Sequence, residues 1–106
     1  MALTQAFKRS VRARAQRNGK YREALFTGAI HACLAGNTAS GKAMLRDLVN
    51  ATIGFERLAA AIKIPSKSLH RMLSPRGNPS TENFFGVVSA LQKKTGIKLR
   101  VTAPES

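Results

Sequence analysis

The sequence predicts an all-α domain of five helices, preceded by a basic helical arm and closed by one short β-strand. Apolar residues recur at three- and four-residue spacing through most of the 106 residues. Glycine, asparagine and proline punctuate these runs at Asn18-Gly19, Gly36-Asn37, Gly54 and Gly77-Asn78-Pro79. Only one segment, near the C-terminus, alternates apolar and basic residues in the manner of a strand. The expected layout is a basic helix or arm over 1–20, a helical domain over 21–102 and a tail over 103–106.

Residues 1–22 hold seven basic side chains (Lys8, Arg9, Arg12, Arg14, Arg17, Lys20, Arg22) and no acid. Leu3, Phe7 and Val11 recur every four residues, which predicts a short amphipathic helix with Thr4 as its cap. The charge run fits an arm that grips phosphates, and equally a solvated basic helix docked by three apolar residues. The second helix is expected from about Tyr21 to Leu34. Leu25, Ala29 and Ala32 form one stripe on it, and Phe26, Ile30 and Cys33 another. A helix apolar on two sides needs two neighbours: the domain core, and a second subunit or protein partner. The third helix is expected over Ser40–Thr52, capped by Ser40 or Thr38, with Met44, Leu45, Leu48 and Thr52 at helical spacing.

Gly36-Asn-Thr-Ala-Ser-Gly41-Lys42 imitates the first seven positions of a phosphate-binding loop. That loop needs a preceding strand and a Ser or Thr at its eighth position. Here a helix precedes it and Ala43 follows, so the stretch reads as a linker between helix caps.

Phe55–Ser74 reads as two short helices around a tight turn. Phe55, Leu58, Ala59 and Ile62 follow the pattern of a buried helical face. Ala59 supplies the small side chain that a close helix crossing needs. Leu69, Met72 and Leu73 bury the second helix. Advancing about 100° per residue, its other side carries Lys67, His70, Arg71 and Ser74, with Ser66 and Ser68 at the N-terminal flank. Arg57 and Arg76 add charge on either side. Arg71 suits guanine or phosphate, Lys67 either more loosely, and the serines suit phosphates or base edges. The pattern is that of a helix-turn-helix laid into a DNA major groove.

The last helix is led in by Pro79-Ser80-Thr81, with Thr81 or Ser80 as its cap and Glu82 in its first turn. Phe84, Val87, Val88 and Leu91 form its buried stripe; Lys93, Lys94 and Gly96 close it. Ile97, Leu99 and Val101 then alternate with Lys98 and Arg100, predicting a half-buried strand. A lone strand leaves its backbone groups unpaired, so a partner strand in this chain or in a dimer twin is expected.

Composition narrows the function. Lys and Arg number 18 against 5 acids, a net charge of +13. Such a field attracts polyanions. Hydrophobic residues make up 43% of the chain, enough for a core. Trp is absent and aromatics are 6%, which argues against stacking platforms for single strands. Apolar runs are too short to span a membrane. Cys33 is alone, which fits a reducing cytoplasm. No metal is expected, since Cys33 and His31 point apart on a helix and His70 is remote. No cofactor is expected. Nor is an enzyme: Glu23, Asp47, Glu56, Glu82 and Glu105 are scattered, and no nucleophile has a base nearby in sequence.

The stretch from Asn50 to Val101 resembles small bacterial regulators of the addiction-module antidote type, which are lambda-repressor-like (Xre, HigA-type) helix-turn-helix proteins. The resemblance is carried by Ser68-Leu-His-Arg-Met-Leu-Ser-Pro75, Gly77-Asn-Pro79, the helix that follows, and Ile97-Lys-Leu-Arg-Val101. It implies an all-α core, binding to double-stranded DNA as a homodimer near the nucleoid, and, for antidote members, neutralisation of a cognate toxin. The chain departs from the family at Lys63, where many members carry Gly, and at Pro65, where many carry a Ser or Thr cap. Its basic N-terminal third also differs from the acidic segment of antidote relatives. The expected activity is sequence-specific transcriptional regulation. The alternatives are an antitoxin that covers its toxin and a non-specific RNA- or nucleoid-binding protein.

Overall fold

A computed structural model describes residues 2–104, with side chains from residue 6 onward; Leu3, Thr4 and Glu105 therefore lie outside the described side chains. Among the described residues six helices follow one another: α1 (Ala2–Arg17), α2 (Gly19–Leu34), α3 (Thr38–Ala51), α4 (Phe55–Ile62), α5 (Ser66–Met72) and α6 (Thr81–Thr95). The molecule measures 43 × 30 × 26 Å.

Helix ends follow local chemistry. Asn18 alone separates α1 from α2, and its side chain accepts from the Tyr21 amide at 3.1 Å, so α2 starts two residues earlier than expected. Arg22 on α2 donates to the carbonyls of Ala15 and Gln16 at 2.8 and 3.2 Å, satisfying the free end of α1. Asn37 caps α3 by accepting from the Ser40 amide, in place of the expected Ser40 or Thr38. Ser80 caps α6, and Gly96 ends it in the left-handed region at φ 75°.

The core is one cluster. Phe26, Leu45, Leu48, Leu58, Leu69, Leu73, Val87 and Leu91 are fully buried in it. α2 and α3 form its most extensive helix pair and approach closely because Gly41 faces the Cys33 sulfur and the Ala29 carbonyl. α1 packs on α2 and α3, with Ala15 fully buried. The apolar series of α1 is thus offset from expectation: Phe7 is exposed, Val11 is half-buried, and Ala15 makes the deep contact.

Two further expectations are corrected. Residues 97–101 pair with no strand among the described residues. The segment keeps the predicted alternation through Arg100, with Ile97 and Leu99 packed against the core and Lys98 and Arg100 exposed. Side chains satisfy its inner amides: Ile97 donates to Thr95 Oγ1 at 3.2 Å and Leu99 to Gln92 Oε1 at 2.7 Å. Its alternation reports a half-buried extended chain, which needs no sheet. The same segment runs beside α2, where Leu99 and Arg100 line two hollows with Thr27, and Ile30 lines one of them.

Candidate nucleic-acid interface

α4 and α5 are joined by Lys63, Ile64 and Pro65. Lys63 takes the left-handed conformation, φ 60° and ψ 45°. Its amide donates to the Ala60 carbonyl and the Ile64 amide to Ala59, so the turn closes α4 as a complete Schellman motif. Lys63 is the sole non-glycine with positive φ among the described residues. Left-handed backbone costs a residue with a Cβ about 1–2 kcal/mol, part of which glycine returns through its more flexible unfolded chain. Lys63→Gly will therefore stabilise the fold by about 0.5–1 kcal/mol, read as a higher midpoint in urea. An unchanged or lower midpoint would show that the lysine side chain contributes packing that outweighs the strain.

Pro65 stands at the N-cap of α5 with φ −62° and ψ 142° and offers no side-chain cap. Ser66 donates to Glu56 Oε1 at 3.2 Å, tying the start of α5 to the start of α4. Leu69, Met72 and Leu73 are buried, and Ala59 sits at the helix contact with 3% exposure. Sequence periodicity located all four correctly.

The outer side of α5 is uneven. Lys67 and Arg71 are exposed. Ser68, Arg71 and Arg76 share an open hollow of about 340 Å³ with Asn78 and with Asn83 from α6. Asn78 and Asn83 were not foreseen as part of this surface. The signal was available: Asn83 is polar, next to the buried stripe of α6, one turn beyond Ser80. His70 is exposed as expected, and it is also engaged within the protein. Its ring stacks on Phe55 at a centroid distance of 4.0 Å and 11° from parallel, so it braces α5 on α4 while its edge stays exposed. Ser74 turns back to donate to the Arg71 carbonyl at 2.6 Å. Arg57 is exposed on the first turn of α4.

Two cations on α3 secure the far end of α5. Arg46 donates to the Leu73 carbonyl. Lys42, with 6% of its surface exposed, donates to the carbonyls of Pro75 and Gly77 at 3.3 and 2.5 Å. Carbonyls at a helix C-terminus lack intrahelical partners, and cations there are favoured. Sequence reading missed this clamp. Lys42 and Arg46 lie one turn apart and in line with Leu45 and Val49 on the buried side of α3, and basic residues in such a stripe need acceptors.

The basic N-terminal third is only partly free. Arg22 is spent on α1, and the Arg14 guanidinium lies 5.2 Å from the centre of the Tyr21 ring. Arg12 is half-buried with its Nε unpartnered. Lys8, Arg9, Arg17 and Lys20 remain exposed. Asp47 on α3 is half-buried; desolvation raises its carboxyl above the usual range, opposed by the charges of Arg46, Lys8 and Arg12. Asp47 thus feels charges both from the N-terminal half of α1 and from the clamp residue Arg46.

No group of His, Cys, Asp and Glu among the described residues is placed to hold a metal ion. No helix there is long and apolar enough to cross a membrane. Among the described residues, the fold and this surface define an all-α, six-helix protein with a cationic, outward-facing short helix. No family model, curated protein or solved structure matches the chain.

Proposed function

We propose that the protein is a dimeric, sequence-specific DNA-binding regulator that works through a helix-turn-helix formed by α4 and α5. The observation that carries this reading is the state of α5: its apolar side is locked into the core while Lys67 and Arg71 stay free on the other. A helix held by leucines, a His–Phe stack and a two-cation clamp can present guanidinium and ammonium groups to base edges without reordering them. Ser68, Arg76, Asn78 and Asn83 extend the polar surface around Arg71 and suit phosphate or base-edge contacts. The exposed cations of α1 supply sequence-independent attraction. In a symmetric dimer the two α5 helices would read half-sites about 34 Å apart.

Arg71→Ala tests the reading. Binding to the DNA upstream of the protein's own gene will weaken by about 1–3 kcal/mol, and preference over scrambled DNA will shrink with it. The measurement is a gel shift at near-physiological salt with random competitor. Equal weakening on both DNAs would reduce Arg71 to a phosphate contact, and an unaffected affinity would remove α5 from the interface.

One observation also favours a protein contact. Leu34 and Val101 are 75% and 92% exposed and border the same shallow hollow as Ile30 and Leu99. We assign this apolar patch to the dimer contact, with the extended 97–102 segment available to its twin. A cognate toxin is the alternative occupant; co-purification with the product of an adjacent gene would favour it.

A further inference from the structure

The buried ammonium of Lys42 has no carboxylate partner. Both of its hydrogen-bond acceptors are neutral carbonyl oxygens, those of Pro75 and Gly77. A lysine ammonium can donate three hydrogen bonds, so one N–H is left over. Charges removed from water are normally paired. Lys42 also borders a cavity of about 250 Å³ that opens beside the 77–81 loop. Phe84, Phe85 and Pro79 form its apolar wall, and Cys33 and Gly77 stand near Lys42 in its lining. Phe85 is 60% exposed, unusual for a phenylalanine on a helix whose other apolar residues are covered. A cavity with an aromatic wall and a single unbalanced cation has the chemistry of a small-ligand site.

We propose that this cavity binds a small organic carboxylate with an aromatic or compact apolar body. The carboxylate takes the remaining N–H of Lys42, and the body lies against Phe84, Phe85 and Pro79. The volume is just under the roughly 300–1,000 Å³ of drug-sized sites, which restricts the ligand to about one ring and one acid group. Binding stands apart from the DNA reading above. Only its consequence rests on that reading: Lys42 holds the loop that follows α5, so an anion drawing on the same ammonium would alter how firmly that end of α5 is fastened.

The test is a titration of the full chain with benzoate and, separately, benzamide, followed by amide resonances in two-dimensional NMR and without DNA. The expected result is saturable benzoate shifts at Gly77, Asn78, Phe84 and Phe85, with an affinity of about 1 mM, the level that a ligand of this size reaches. Benzamide, which has the same shape without the charge, will bind at least about tenfold more weakly. Lys42→Met will abolish the difference between the two probes. Phe85→Ala, which removes an exposed side chain and leaves Lys42 in place, will weaken benzoate severalfold while the fold persists. Equal binding of the two probes, no saturable shift, or shifts centred on the exposed cations of α1 and α5 would each overturn the proposal. A DNA gel shift with and without benzoate then addresses the consequence for α5 alone.

Discussion

Alanine in place of Gly77 will destabilise the protein by about 2–3 kcal/mol, a fall in melting temperature of about 8–20 °C for a chain of this length. A Cβ built at Gly77 runs into the main-chain carbonyls of Arg71 and Met72. Main-chain atoms in the last turn of a helix cannot rotate aside as a side chain can, so either α5 or the loop must shift. The Gly77 carbonyl is also an acceptor for Lys42, and its amide donates to the Ser74 carbonyl at 3.0 Å, so displacement weakens both. Gly36 provides the contrast. It has φ 87°, and an added Cβ there meets nothing. Gly36→Ala will therefore cost only conformational strain, about 1 kcal/mol. Thermal unfolding followed by far-UV circular dichroism compares the two. Equal losses would mean that close approach at residue 77 is not what requires glycine.

The second large effect concerns salt. On the DNA-binding reading, raising monovalent salt from about 50 to about 200 mM will weaken duplex binding by about 10³-fold, the loss expected when about six phosphates are neutralised. Exposed cations suffice for that number: Lys8, Arg9, Arg17, Lys20, Arg57, Lys67, Arg71 and Arg76 are all free. The structure also distinguishes among the arginines. Arg22 is half-buried and engaged on the end of α1, so its removal will leave the slope of log affinity against log salt nearly unchanged. Loss of Arg9 or Arg17 will reduce it by about one each if α1 lies along the backbone. A slope indifferent to both would confine the contact to α4 and α5.

Much of the fold was legible because periodicity and punctuation agree. Leu58, Ala59, Leu69, Met72 and Leu73 form two apolar stripes that no strand spacing could produce, and all are buried. Gly36, Gly54 and Gly96 stand where the backbone takes positive φ. Helix starts were less legible, since Asn37, Thr38 and Ser40 all have capping chemistry and only geometry selects Asn37. The strand expected over 97–101 shows the limit of a two-residue period. Alternation records which side chains face the core, and says nothing of what pairs with the backbone; here Gln92 and Thr95 supply acceptors from α6. The cationic outer face of α5 was legible at Lys67 and Arg71, because they oppose the leucines on one helix. Asn83, the Phe55–His70 stack and the Lys42–Arg46 clamp were not, because each joins segments that sequence spacing does not connect.

Lys42 and Arg46 grasp oxygens of the peptide chain at Leu73, Pro75 and Gly77, atoms that every amino acid brings with it. The purchase on that short helix is thus indifferent to what its outward positions spell. The exposed Lys67 and Arg71 can each be replaced with little penalty to the scaffold beneath them. The domain is in that sense a frame in which the outward chemistry of α5 can be varied while foldedness is held constant.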